Sequence, residues 1–209
     1  MICRKLSTTI VLAAITALSS CRGNKSAEMN PAPAQYKVRL QTSKGDVLIL
    51  VHRDWSPIGA DRFYQLTKAG FYDGNRFFRV LRGFIVQWGL NGDPTVNKQW
   101  SDSNIKDDPP KVSNKVGTVV FAMAGPNSRT TQVFVNLGDN SSSLDPQGFT
   151  PFGEVIQGME NIMNFYTDYG DGPPNGSGPT QEAIAQLGNS YLEEHFPKLD
   201  YIKTARVVP

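Results

Sequence analysis

Two polar side chains stand among large apolar residues in the segment 77–87, which reads as two short strands joined by a tight turn. Side chains alternate between the two sides of a strand, so we expect Arg79 to share a face with Phe77, and Gln87 to share one with Ile85. A buried charge without a partner is costly, so a plain strand gains nothing from a guanidinium on its apolar side. For this hairpin taken alone, an arginine that merely reaches solvent at a strand end is the favoured interpretation. Segments further along the chain shift the balance toward a site built around Arg79 and Gln87.

Three further segments belong with this hairpin because of their order and spacing. They are Tyr72-Asp73-Gly74, then 123–127 with Gln132 and Phe134, then Leu144-Asp145 with Phe149 and 152–155. Together with 77–87 they closely resemble the cyclophilin family of peptidyl-prolyl cis-trans isomerases. The resemblance runs from about Tyr36 to Ile162.

The resemblance implies a mainly β fold, a closed eight-stranded antiparallel barrel capped by helices, with the substrate groove on the outside of one sheet. The residues agree with it, since the chain reads as many short strands with two or three helices. The expected elements are a hairpin over 36–51, a helix between Pro57 and Gly70, a long irregular loop over 91–114, a helix over 180–196 with Ile184, Leu187 and Tyr191 on one face, and a closing strand over 201–208. The last helix is expected to cap the barrel, with partner binding as the alternative.

The resemblance also implies roles for single residues. Arg79 falls at the family's catalytic arginine, and Gln87 falls at the glutamine that orients it. The other positions concern substrate: the walls of a proline pocket (Phe84, Ile85, Phe134 and Leu144), its rim (Phe149), binding of substrate backbone (Ala122 and Gln132) and support of the arginine's strand (Phe77). The implied partners are proline-containing segments of unfolded or folded proteins.

The chemistry of X-Pro rotation explains why such residues suffice. Rotation destroys amide resonance and meets a barrier of about 18–20 kcal/mol. Shortening the time for X-Pro rotation from about 100 seconds to about a millisecond is roughly a 10⁵-fold acceleration. This corresponds to about 7 kcal/mol of differential stabilisation of the transition state. An apolar pocket disfavours the polar planar amide, while Arg79 can donate to the nitrogen lone pair of the twisted state. Because no covalent bond is made or broken, no cofactor, metal or nucleophile is required.

Several residues depart from the family pattern close to the groove. Phe78 stands where a histidine is usual, Ser143 where a tryptophan is common, and 88–93 contains an insertion. The altered rim at Trp88, Ser143 and Phe149 leaves a second function open, a proline-directed binding module or chaperone with little isomerase activity. The retained Arg79 and Gln87 favour the enzyme, because a pure binder has no need of a transition-state donor. An inert envelope barrel would explain neither residue.

Composition excludes other classes of function. A net charge of +2 over 209 residues, without a basic run, argues against nucleic acid. Both cysteines, Cys3 and Cys21, precede the domain, so the folded part is expected to lack disulfides and thiol chemistry. His52 and His195 have no acidic or histidine partner at metal spacing, which argues against a zinc site or a histidine-based triad.

The N-terminal residues have the features of a targeting signal. A positive start and a short apolar run predict a signal peptide over 1–20, and Leu18-Ser19-Ser20-Cys21 resembles a bacterial lipobox, which would make Cys21 the lipidated first residue. Residues 21–35 are expected to form a flexible tether and 36–209 the cyclophilin-like domain. The protein is then expected in the cell envelope as a monomer, held on a bacterial membrane by its lipid alone and facing the periplasm. The alternative is an ordinary secretory signal with an incidental cysteine.

Overall fold

Eight antiparallel strands dominate residues 31–209, which are the residues that the computed structural model describes. The strands are β1 (Gln35–Thr42), β2 (Gly45–His52), β3 (Arg79–Leu81), β4 (Ile85–Trp88), β5 (Thr118–Phe121), β6 (Val133–Asn136), β7 (Pro151–Gln157) and β8 (Ile202–Val208). The helices are α1 (Pro57–Lys68), α2 (Pro94–Trp100), α3 (Ser141–Leu144), α4 (Met159–Met163) and α5 (Gln181–His195), with a 3-10 turn over Asp145–Gln147. The predicted mainly β architecture is confirmed.

The strands form a single sheet in the order β3-β4-β6-β5-β7-β2-β1-β8. The prediction of a closed barrel is wrong in one respect, because the sheet is open: no ladder joins β3 to β8 within the described residues. One isolated bridge, Arg76 to Tyr201, links the two edges. The physical reason is that β3 has only three residues and follows a series of turns, so little extended chain is available to pair with β8.

The main core packs the alternate side chains of the strands against α1. Along β1 and β2, burial alternates with a period of two, as the sequence pattern predicts for a half-buried hairpin. Phe63 of α1 lies fully buried, with its ring 4.9 Å from that of Phe152 on β7. Pro57 begins α1, and Gly70, at a φ of +70°, follows its end.

The segment 91–114 is not the purely irregular loop that its composition suggested. It contains α2, whose first turn is capped by Asp93 through a 2.8 Å hydrogen bond from the Thr95 amide. It also carries the buried Asp108, whose carboxylate accepts hydrogen bonds from the amides of Ile58 and Gly59, both at 3.0 Å. The loop therefore supplies the N-terminal cap of α1, which its own Ser56 does not.

Helix α5 confirms the predicted last helix but bends at Gly188, whose φ is +65°. A β-carbon there would lie 2.1 Å from the carbonyl oxygen of Gly92, so the close approach requires glycine. The bend changes which residues face inward: Ile184 and Leu192 are buried, whereas Leu187, expected on the apolar face, is 53% exposed.

The folded domain begins earlier than Tyr36. Ala32 is buried, its amide donates to Asp61 at 2.9 Å, and Gln35 opens β1, so the end of the predicted tether 21–35 belongs to the domain. The predicted signal peptide 1–20, Cys21 and the tether up to residue 30 lie outside the described residues. Within 31–209, no helix combines the length and hydropathy needed to cross a membrane.

Asp108 generates a test of the fold. Besides capping α1, it accepts from the Ser56 hydroxyl at 2.5 Å and from buried Arg129 at 3.1 Å. We expect Asp108→Ala to lower the free energy of unfolding by about 3–5 kcal/mol, because it leaves the Arg129 charge buried without this partner. Urea unfolding followed by fluorescence measures the change. The exposed Asp102→Ala is the matched control, and equal losses in both variants would contradict the capping role.

Candidate active site

Arg79 and Gln87 face each other across the β3–β4 ladder. The guanidinium Nη1 donates to Gln87 Oε1 at 3.3 Å, while Nε and Nη2 donate to the two carboxylate oxygens of Asp171 at 2.9 and 2.8 Å. The Arg79 side chain is 24% exposed. The charge is tolerated at the sheet surface because it is hydrogen-bonded on two sides and still reaches solvent.

A relay of amides extends from the arginine across the sheet. Gln87, itself buried, donates from Nε2 to Gln132 Oε1 at 2.8 Å, and Gln132 Nε2 donates to Gln181 Oε1 at 2.9 Å. Gln87 and Gln132 thus each accept at the oxygen and donate at the nitrogen, which fixes their amide orientation, while Gln181 ends the relay as an acceptor. The relay joins three separate parts of the fold, namely β4, the start of β6 and the first residue of α5.

A hollow of about 200 Å³ opens beside the guanidinium. It is lined by Arg79, Phe84, Ile85, Gln87, Ala122, Met123, Phe134, Leu144, Phe149 and Gln181. Its floor is an apolar cluster separate from the main core, centred on Ile85, Phe134 and Leu144. The Phe149 ring closes one side edge-on to Phe134 at 5.8 Å, and the Arg79 guanidinium lies 5.7 Å from the Phe84 ring centre.

Alternation along three neighbouring strands produces this second cluster. On β4 the residues Val86 and Trp88 face the main core, whereas Ile85 faces the hollow. On β5 and β6, Val120 and Phe134 belong to the cluster beneath the hollow, while the residues on either side of each belong to the main core. These strands are therefore buried on both sides, which explains their nearly continuous apolar sequences.

Most of the predicted site residues come together at the hollow. Eight line it directly: Arg79, Gln87, Phe84, Ile85, Ala122, Phe134, Leu144 and Phe149. Gln132 lies next to it, in the wall of an adjoining hollow of about 190 Å³ that also contains Ala122 and Gln87.

Phe77, counted among the substrate positions because it supports the strand of Arg79, does not reach the hollow and is therefore not a substrate-contacting residue. It is 2% exposed in the main core, stacked on Phe165 at 4.3 Å and edge-on to Trp88 at 5.6 Å. The expected alternation with Arg79 fails because β3 starts only at Arg79, and the chain before it is not extended in a ladder. Phe77 supports the strand from beneath.

Asp171 and Gln181 are the site residues that sequence reasoning missed. Both lie in or next to the segment 168–180, whose glycines and prolines indicated only a loop. The hydrogen bond from Arg79, its main perturbation, holds the pKa of Asp171 below its usual value, so the carboxylate is charged at neutral pH. In the described residues, no group of three or more His, Cys, Asp or Glu side chains could hold a metal ion.

Comparison with known proteins gives the family. A family model described as cyclophilin type peptidyl-prolyl cis-trans isomerase/CLD matches residues 37–184. A peptidyl-prolyl cis-trans isomerase of Acinetobacter baylyi is 31% identical over 136 residues, which are 63% of this chain and 72% of that protein. The Escherichia coli peptidyl-prolyl cis-trans isomerase B is 31% identical over 133 residues, 60% of this chain and 80% of that protein. The chain belongs to the cyclophilin family.

The fold agrees with that of a solved cyclophilin. A cyclophilin type peptidyl-prolyl cis-trans isomerase of Cryptosporidium parvum, crystallised in the presence of the dipeptide Ala-Pro, superposes with a TM-score of 0.60 at 21% identity. The match covers 83% of this chain and 99% of that chain. It shows that nearly the whole of a cyclophilin fold is contained in this chain.

The structure explains why this cyclophilin has Phe78 where a histidine is usual. Phe78 is 3% exposed and packs in a third cluster with Ile184, Leu192 and Leu199, from α5 and the segment after it. The helix covers this position, so an apolar ring is favoured there over a polar one. The residues beyond 184, which the family model does not match, are thus joined to the strand that carries Arg79.

Phe78→His tests this packing. We expect it to lower the free energy of unfolding by about 1–3 kcal/mol, because a polar imidazole would replace an apolar ring packed against Ile184, Leu192 and Leu199. Chemical denaturation measures the loss. Phe78→Leu, which keeps the site apolar, is the control and is expected to lose less; a histidine variant as stable as the wild type would show that the cluster does not exclude polar groups.

Proposed function

We propose that this chain catalyses the cis-trans isomerisation of X-Pro bonds in proteins that have reached the cell envelope. The observation that carries the proposal is the position of Arg79 in the wall of an apolar hollow of about 200 Å³. A proline ring fits the chemistry of this hollow, because Phe84, Phe134 and Leu144 offer aromatic and aliphatic surface without a charge of their own. The family relationship supports the same activity.

Arg79 supplies the selectivity for the transition state. When the imide twists, the proline nitrogen regains a lone pair that the planar amide does not offer. A guanidinium N–H beside the ring can donate to this lone pair, and one such donor at a transition state contributes about 2.7–4 kcal/mol. Because the bond forms only in the twisted state, it accelerates rotation rather than tightening binding of the ground state.

The apolar hollow supplies a second contribution. The planar amide has a large dipole that water solvates well, and the twisted state is less polar. Moving the ring onto Ile85 and Phe134 withdraws this solvation from the ground state. Gln87 contributes indirectly, since its Oε1 accepts a hydrogen bond from Arg79 Nη1 and thereby limits the rotation of the guanidinium.

A binding module remains the second candidate, and the amide relay is the observation that favours it. Gln132, expected to bind substrate backbone, already accepts from Gln87 and donates to Gln181. A peptide can still use the second lone pair of Gln132 Oε1 or the remaining Gln132 N–H, or displace Gln181, so Gln132 is partly engaged before a peptide binds. Arg79 still faces the hollow, which supports the enzyme over the module.

Arg79→Ala tests the proposed mechanism. We expect the isomerisation rate constant of an Ala-Pro peptide to fall at least about 10²-fold, since loss of one transition-state donor has effects on this scale. NMR exchange spectroscopy measures the rate and also the peptide affinity, which should change little. The matched control is Arg82→Ala, an arginine of the same hairpin that instead donates to Thr167 at the surface.

Two outcomes would count against this mechanism. An Arg79→Ala variant as fast as the wild type would remove Arg79 from the chemistry. A wild type that binds proline peptides without accelerating their isomerisation would favour the binding module.

We also propose that the domain is a lipoprotein, anchored through Cys21 to a bacterial membrane and facing the periplasm. The lipobox-like Leu18-Ser19-Ser20-Cys21 after a short apolar run supports this location. Residues 22–30 would then link the lipid to the folded domain, which the structure describes from residue 31. We propose, in addition, that the protein is a monomer.

Cys21→Ser tests the anchor. Expressed in a bacterium, the wild type should sediment with membranes and carry the mass of a lipidated N-terminus, while Cys21→Ser should leave the membrane fraction or keep its uncleaved leader. Cys3→Ser is the matched control, because it removes the other cysteine without touching the lipobox. A wild type recovered as soluble, unmodified periplasmic protein would instead favour an ordinary secretory signal.

A further inference from the structure

The carboxylate of Asp171 occupies one complete edge of the Arg79 guanidinium. A guanidinium has five N–H donors. The Nε–H and one N–H of Nη2 donate to the two carboxylate oxygens of Asp171, and one N–H of Nη1 donates to Gln87 Oε1. Because all three nitrogens donate, the planar guanidinium cannot rotate relative to the rest of the side chain without breaking a hydrogen bond. One N–H on Nη1 and one on Nη2 remain for a further acceptor.

Asp171 acts from outside the hollow. It does not line the hollow, whereas Arg79 does. Asp171 instead lines, with Arg79, Phe78 and Glu182, a separate polar cavity of about 270 Å³. The guanidinium is the wall between the two spaces. The pairing therefore leaves room for a proline ring and does not block it.

The loop fixes the position of the carboxylate independently of Arg79. The Gly172 amide donates to Asp171 Oδ1, and the Gly178 amide donates to the Asp171 carbonyl oxygen, both at 2.8 Å. A β-carbon on Gly176 would lie 2.2 Å from that same carbonyl oxygen, so the loop folds back on itself more tightly than any other residue would allow. Just before it, the Tyr169 ring packs edge-on against Phe196, 5.1 Å away, in the cluster that contains Phe78.

We propose that Asp171 is a positioning residue, which holds the Arg79 guanidinium with its two remaining N–H groups available to substrate in the hollow. This inference rests on the function proposed above and adds a residue to it. An arginine side chain has several rotatable bonds and loses considerable entropy when it is ordered. Because Asp171 and Gln87 order it before substrate binds, the bond to the twisted imide costs less. The effect is on the rate of the bound peptide rather than on its affinity.

Asp171→Asn tests the inference with little change in size. Asparagine offers one acceptor oxygen and turns an N–H group toward the guanidinium, so the two-oxygen pairing is lost. For an Ala-Pro peptide measured by NMR exchange, we expect the maximal rate to fall about tenfold or more, since small misplacements of a reacting group have effects of at least this size. The peptide affinity should stay unchanged. Asp171 is 26% exposed, so the variant is expected to fold.

A spectroscopic readout tests the geometry itself. The Nε–Hε resonance of Arg79, assigned by its loss in Arg79→Ala, should be shifted downfield and slow to exchange in the wild type because it donates to a carboxylate. In Asp171→Asn it should move upfield and exchange faster. The control is Asp168→Asn, which removes the same charge from an exposed position three residues earlier and should change neither the rate nor the resonance.

The outcomes separate this inference from the proposed function. A maximal rate that is unchanged or raised in Asp171→Asn, or equally lowered in Asp168→Asn, would overturn the positioning role while leaving Arg79 as the donor. If the wild type proves inactive, the proposed function fails, and the resonance still decides whether Asp171 orders Arg79. A resonance unaffected by Asp171→Asn overturns the inference in either case.

Discussion

A positive charge beside an apolar hollow is the constraint on which the site depends. For the function proposed above, the hollow must be apolar so that it can hold a proline ring, while the Arg79 donor must stay charged, oriented and partly shielded from water. The fold meets both conditions by placing Arg79 at the edge strand, where it is 24% exposed, and by giving it Gln87 and Asp171 as acceptors. Edge position matters here, since a central strand would bury the guanidinium completely and make its desolvation far more costly.

The same constraint shapes the strands behind the arginine. Strands β4, β5 and β6 must fill the main core on one side and form the floor of the hollow on the other. They are therefore short and almost entirely apolar, and Gln87, Thr118 and Asn136 are their buried polar exceptions. Asn136 is satisfied by hydrogen bonds with Thr118 and Asn140, both buried, so neither side of the sheet carries an unpaired amide there. Rigidity of this double-sided layer fixes the distance between the donor and the hydrophobic floor.

The sequence pattern predicted those features that depend on residues close together in the chain. Alternating side chains predicted the β1–β2 hairpin, and Pro57 and Gly70 predicted the limits of α1. The resemblance to a family implied the pairing of Arg79 with Gln87, which the ladder between β3 and β4 places opposite each other, and it also implied the residues around the hollow. Asp171 could not be predicted in this way, because it pairs with Arg79 across 92 residues of sequence and lies in a loop without periodicity. The misplacement of Phe77 and Leu187 has a related cause: strict periodicity was assumed across a strand boundary and a bent helix, where the backbone interrupts it.

Two adjacent residues show how the C-terminal segment became part of the site. Phe78 enters the cluster formed with α5, and Arg79 turns to Asp171, which lies just before that helix. The apolar contact sets where the segment lies against the strand, and the ion pair uses that placement to orient the guanidinium. A histidine in place of Phe78 would weaken the first contact and thereby loosen the second. The presence of Phe78 and of a carboxylate at Arg79 are therefore two consequences of one structural feature, a C-terminal segment packed against the strand that carries Arg79.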